Sequence, residues 1–207
     1  MSQTPHDVDE GYIKYDAEWL PGPAPDAVHV AELERWRSPL FEAGLIGHDE
    51  ALNVGYGNLS VRAETPGQFV ITGTQTGHLA ETSGEHYALV TEVDIDANRV
   101  RSVGPIAASS EAMTHAALYA LGANVAAVVH VHSRELWNRY RDVLPTTASD
   151  VAYGTPQMAR EFGRLWRRTG FREAGIAVMA GHDDGLLSIG ATLEEAAQRM
   201  LALSSAR

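Results

Sequence analysis

The stretch VVHVHSRE at residues 128–135 sets His130 and His132 one residue apart, directly after small and β-branched apolar residues. Apolar on both faces, that run suits an interior strand. On a strand, side chains two residues apart share a face, with Cα atoms roughly 7 Å apart, so the two imidazoles can converge on one ion. Zinc takes imidazole nitrogen at about 2.0–2.1 Å and requires three or four ligands, so a third must come from elsewhere. His182, in the turn after IAVMAG, is the natural candidate. Taken alone, the pair fits a metal site and a pair of hydrogen-bonded strand-end imidazoles equally well.

A second group of reactive residues lies in ASSEAMTHAAL, where Glu111 follows Ser109 and Ser110 at the start of a helix pattern. A helix N-terminus attracts an anion, and a carboxylate beside it is placed for proton transfer. Serine and glutamate at a helix start are also ordinary capping residues. His115, one turn on, shares the face of Glu111, as a ligand, as a partner to one, or as a core histidine. Two glycine-rich turns, GYGNLS and ITGTQTGH, add Asn58, Ser60, Thr72, Gly73, Thr74 and Thr76 as possible donors. Glycine lets backbone N–H groups approach a ligand closely. Neither turn matches the P-loop or the dinucleotide fingerprint, and each reads equally as a simple turn.

The rest of the chain must carry these residues. It has 207 residues, no cysteine and nine histidines, so histidine and carboxylate are the strong transition-metal ligands left. A net charge of −11 argues against nucleic acid as a partner, because neutralising phosphates needs a basic face. No apolar run approaches the ~20 residues that span a bilayer, which excludes a membrane protein. The acidic N-terminus lacks the apolar segment of a secretory signal and predicts a cytoplasmic protein.

Residues 1–25, with Pro5, Pro21, Pro23 and Pro25, read as an irregular arm docked through Tyr12, Lys14, Tyr15 and Trp19 on a body of residues 26–207. Residues 26–43 read as a helix stopped by Gly44 and bent or divided by Pro39. Strands are expected on both sides of Pro66-Gly67, at HYALVTEVDI before the turn DANR, at VAAVVHVHS, and on either side of GHDDG. Helices are expected at EAMTHAALYALG, capped by Ser109 and Ser110, after the Thr155-Pro156 start, and at TLEEAAQRMLAL. Strands interleaved with helices, without a regular βαβ repeat, predict an α/β domain whose mixed sheet carries helices on both faces.

In chain order the pieces G-N-x-S, T-G-x-x-x-G, S-S-E, H-x-H and a last histidine ahead of TLEEA resemble the class II aldolase/adducin family, from about Arg35 to Leu203. The resemblance implies an α/β/α layered single domain around a mixed, mainly antiparallel sheet. It also implies a homo-oligomer, a four-fold symmetric tetramer, with the active site at a subunit boundary. By motif, His130, His132 and His182 would hold a divalent metal, foremost Zn2+, with Mn2+, Co2+ or Fe2+ as other occupants. Glu111 would be the acid/base. Asn58, Thr72, Gly73, Ser109 and Ser110 would fall on a phosphate pocket, beside Ser60 and Thr74 of the same turns. The implied activity is that of an aldolase-type carbon–carbon lyase on a small hydroxy-carbonyl or sugar-derived substrate, through a metal-stabilised enediolate.

Epimerisation, decarboxylation and dehydration can use that same intermediate, some relatives load iron(II) as oxygenases, and the adducin head is a binding module. The chain departs from the pattern in reading TGTQTGHL where phosphate-using relatives read roughly T-P-S-G, and in placing Ala108 ahead of S-S-E. Asp183 or Asp184 is placed to orient His182. No tyrosine follows the last helix, as one does in some relatives. That leaves Tyr153, Tyr140, Tyr12 and Tyr15 as candidate proton donors, or as packing aromatics.

Overall fold

Alternation along the strands decides which side chains meet the helices and which end of the sheet carries the histidines. In the computed structural model, which describes residues 11–51 and 53–206, strand β1 (Asp16–Pro21) precedes helix α1 (Ala27–Glu42). A ribbon of β2 (Gly47–Asp49) and β3 (Val54–Tyr56) follows. Next come β4 (Asn58–Arg62), β5 (Phe69–Thr72), β6 (Tyr87–Asp94) and β7 (Arg99–Gly104). Helix α2 (Ala112–Tyr119) leads to β8 (Ala127–His132), α3 (Arg134–Tyr140), α4 (Pro156–Arg168) and α5 (Phe171–Ala174). Strands β9 (Ile176–Val178) and β10 (Gly185–Gly190) and helix α6 (Leu193–Ser205) follow.

Eight of these strands form one sheet in the order β1-β7-β6-β5-β4-β8-β10-β9. β1 and β7 run parallel, and the other six neighbouring pairs are antiparallel. On one face, Val128 of β8 joins Phe69, Ile71, Leu187 and Ile189 beneath Met113, Leu118, Phe162 and Phe171 of α2, α4 and α5. On the other, Ala127, Val129 and Val131 pack with Leu33 and Leu40 of α1 and Leu193 and Met200 of α6. Burying each large apolar side chain is worth about 1.5–3 kcal/mol, so this alternation fixes which face each strand residue takes. The expected α/β/α layering around a mixed, mainly antiparallel sheet is therefore what the chain adopts. His130 and His132, in phase with Val128, point to the α2 side.

Three local expectations need correction. The arm is not irregular throughout, because residues 16–21 pair with β7 at the sheet edge. Trp19 Nε1 donates to Gly104 O at 3.0 Å and Glu18 meets Arg101 at 2.7 Å. The strand is mostly exposed, so it lacks the burial pattern that marks strands in a sequence, and Pro21 is tolerated at its end on a sheet edge. Residues 1–10 of the arm, Pro5 among them, lie outside the described residues. Helix α1 runs undivided through Pro39, which sits in its last turn and forgoes one bond of the ladder there. At α2 the N-cap is Glu111 rather than a serine, and its own side chain makes no capping bond, while Ser109 Oγ accepts from Glu111 N at 3.4 Å.

Candidate metal centre

The end of β8 is central in the sheet, between β4 and β10, so what it presents is framed on both sides. Asn58 is the register partner of His130, and Gly185 that of His132. Glycine at 185 leaves room here, since a Cβ would crowd His182 Nδ1 at 3.1 Å and His130 Cε1 at 3.2 Å. The tight turn between β9 and β10 brings His182 to the same spot, with His182 N donating to Met179 O at 3.1 Å.

His130, His132 and His182 come together as the sequence predicts, each offering a ring nitrogen, with these atoms all within 4.8 Å of one another. His130 Nδ1 lies 3.0 Å from Leu186 O. A carbonyl can only accept, so this nitrogen carries the proton and Nε2 keeps its lone pair. That lone pair faces His132 Nε2 at 3.0 Å. Two nitrogens on one tetrahedral zinc ion would be about 3.3 Å apart from the usual bond lengths, close to this spacing. Burial, followed by the neighbouring His182 and His130, pushes the His132 pKa well below its ordinary value. His132 is thus held in the neutral form, the one in which imidazole binds a metal.

Glu111, 2% exposed, completes the site from the start of α2. Its Oε1 stands 3.3 Å from His182 Nδ1, and neither carboxylate oxygen makes a hydrogen bond of good geometry to the described residues. Burial pushes its pKa up, but the neighbouring His182 and His130 and the Thr114 hydroxyl outweigh this and hold it at about 2. A buried carboxylate beside three converging ring nitrogens fits a divalent cation. The residues present therefore suit the metal that the motifs imply.

Two tyrosines back the outer imidazoles. Tyr56 stacks on His132 with centroids 5.3 Å apart, and Tyr153 on His182 at 4.2 Å. The Tyr153 hydroxyl accepts from Tyr12 N at 3.2 Å, and Lys14 Nζ lies 3.7 Å from its ring centre. Tyr15 donates to Ser109 O at 2.8 Å. The segment before β1 is thus fastened over this end of the domain. Asp184 Oδ2 meets Arg134 at 3.1 Å, and the carboxylate facing His182 Nδ1 is that of Glu111.

Of the expected substrate-binding residues, Asn58, Gly73, Ser109 and Ser110 line the cavity above the histidines. Ser60, Thr72 and Thr74 lie outside that lining, as does Tyr153. Ser60 Oγ is 2.7 Å from His115 Nδ1 and 2.6 Å from Tyr119 O–H, a buried chain behind Glu111. Thr72 Oγ1 accepts from Leu59 N at 3.3 Å. Tyr56 and Gln75 are site residues that sequence reasoning did not single out. Tyr56, inside the quoted GYGNLS, had only its neighbours as a signal.

Comparisons with known proteins agree with this architecture. The sequence profile of the Class II Aldolase and Adducin N-terminal domain family matches residues 40–206. No curated protein matches the chain in sequence. Among solved structures, an L-fuculose 1-phosphate aldolase superposes with a TM-score of 0.62 at 17% identity, covering 87% of this chain and 85% of that one. A sugar-phosphate aldolase from Thermotoga maritima gives 0.63 at 15% identity, covering 86% and 90%. YgbL from Klebsiella pneumoniae, for which aldolase, epimerase and decarboxylase activities are named as alternatives, gives 0.62 at 20% identity, covering 86% and 85%. At these identities the likeness is one of fold. The profile match spans most of the chain, and the chain belongs to the class II aldolase and adducin N-terminal domain family.

Proposed function

We propose that the protein is a divalent-metal-dependent lyase of aldolase type, acting on a small hydroxy-carbonyl or sugar-derived compound. The observation that carries this reading is the convergence of three imidazole ring nitrogens beside a buried carboxylate. His130, His132 and His182 would hold the ion, zinc in the first instance. When bound, the ion supplies Lewis-acid stabilisation of the negative charge that carbon–carbon cleavage leaves on the substrate oxygens.

The chain's own residues do the rest. Glu111 is ionised at neutral pH, so it starts as the base, takes the proton of the hydroxyl on the departing carbon, and returns it to the carbon left behind. Asn58 and Ser110, both on the cavity wall, orient the substrate oxygens. The bond of His130 to Leu186 O keeps its tautomer constant through the cycle. The family resemblance supports a homotetramer with this cavity near a subunit boundary.

The test has two parts. Zinc-loaded protein is offered a panel of hydroxy-carbonyl compounds, with and without phosphate, and the carbonyl products are measured. Cleavage dependent on metal and on Glu111 supports the reading. Turnover that survives complete metal removal contradicts it. Epimerisation or decarboxylation products would retain the metal and base assignments and replace the lyase step.

A further inference from the structure

Strand β4 flanks β8 only as far as His130, whose register partner, Asn58, is the first residue of β4. Two residues on, His132 still has Gly185 of β10 on one side. Its other neighbours come from the chain around the β2–β3 ribbon. His132 N donates to Leu45 O at 3.0 Å, and the ring of Tyr56, in β3, lies at 24° to the imidazole with centroids 5.3 Å apart. Among the described residues, Tyr56 is the one tyrosine that lines the cavity above the histidines.

The ribbon sets where that ring lies. Gly47 of β2 is the register partner of Tyr56, and a Cβ there would stand 2.7 Å from Tyr56 Oη and 2.9 Å from its Cζ. The ring therefore lies across a position without a side chain. In the loop after β5, Gly77 packs so close that a Cβ would stand 2.6 Å from both Tyr56 N and Tyr56 O. Gln75 of the same loop accepts at Oε1 from Gly55 N at 3.1 Å and donates from Nε2 to Gly11 O at 3.1 Å. The two companion imidazoles meet polar atoms, His130 at Leu186 O and His182 at the Glu111 carboxylate. His132 meets an aromatic face, and ring pairs prefer a defined offset and tilt, so a ring fixed from the ribbon constrains the imidazole plane.

We infer that Tyr56 is a positioning residue of the metal site, its ring holding the His132 imidazole in the orientation a bound divalent ion needs. This rests on the metal-dependent reading above, and its test separates the two. Full-length protein is titrated with zinc against a competing chelator, and its cobalt(II) form is read by visible absorption, which reports the ligand geometry. Tyr56→Leu keeps apolar bulk and removes the ring. Its zinc dissociation constant should rise about three- to tenfold, the range an aromatic pair is worth, and its cobalt bands should shift. Tyr56→Phe, which restores the ring alone, should lie within about twofold of the wild type with the wild-type bands. Gly47→Ala should loosen zinc as Tyr56→Leu does, although it alters neither ring. Wild-type affinity and bands in Tyr56→Leu overturn the inference and leave the metal reading standing, as does a loss in Tyr56→Phe equal to that in Tyr56→Leu. Should Tyr56→Leu fail to fold, wild-type affinity in Gly47→Ala overturns it instead. Wild-type protein that binds no zinc overturns the metal reading itself.

Discussion

The ring of Tyr153 lies on the imidazole of His182, with centroids 4.2 Å apart and planes inclined by 21°. Lys14 Nζ is 3.7 Å from the same ring centre and must occupy the opposite face, since one face has no room for both groups. Tyr153 is thus the middle layer of a sandwich that ties the N-terminal segment to a candidate metal ligand. If the ring is what matters, Tyr153→Phe keeps zinc content and changes turnover by less than about threefold. Tyr153→Ala, by removing a buried ring, should cost about 3–5 kcal/mol of stability. If Tyr153 is the proton donor, Tyr153→Phe instead loses about 10²-fold or more in turnover. Paired measurements of zinc content, denaturation and kcat distinguish these outcomes.

Glu111→Gln preserves the shape of the side chain and removes the base. Turnover of whichever substrate the panel identifies should fall about 10²–10⁴-fold. Zinc content, read by elemental analysis, should stay at the wild-type value. Full turnover in this variant would remove Glu111 from the chemistry.

His115 gives a pH signature that does not depend on the substrate. Burial pushes its pKa down, Glu111 pulls it up and His130 pushes it down again, leaving it at about 3 against an ordinary 6.5. The folded value lies below the unfolded one. The neutral form therefore contributes stability that is complete above about pH 6.5 and is lost as pH falls towards about 3. Between those limits each such proton contributes a slope of about 1.4 kcal/mol per pH unit. Denaturation curves of wild type and His115→Gln across this range should show a shallower slope in the variant. Equal slopes would mean that His115 titrates normally in the fold.

Arg37 is a buried cation, 1% exposed, whose guanidinium donates to Thr76 O at 3.0 Å and Leu79 O at 2.6 Å. It holds the loop that carries Gln75, Thr76 and Gly77. Arg37→Met keeps the volume and leaves those carbonyls without a donor, at about 1–3 kcal/mol for each buried group. A loss of about 3 kcal/mol, or about 6–12 °C in Tm for a chain of this size, is expected in thermal denaturation.

Much of this site was legible because it is local. The H-x-H pair needs only the period of a strand, and Val128, His130 and His132 do share a face. His182 and Glu111 are far from that pair in sequence, and only the ordered motifs joined them to it. What stayed hidden depends on contacts no local pattern encodes. Strand β1 is mostly exposed and finds β7 across the fold, as in the Arg101–Glu18 bond between residues 83 positions apart. The stack of Tyr56 on His132, and the Gln75 amide between Gly11 and Gly55, depend on loops meeting in space. Ser60 sits one strand step from Asn58 and on the same face, yet its hydroxyl is committed to His115 and Tyr119 rather than to the cavity.

The central claim is that three histidines form one metal site, and metal content tests it most directly. Purified protein, loaded with zinc and freed of excess, should hold about one ion per chain by elemental analysis. His130→Ala should fall to about a tenth of that or less, because a two-imidazole remnant leaves the coordination incomplete. Wild-type protein that retains no ion, or a His130→Ala variant that retains the full complement, would contradict the account.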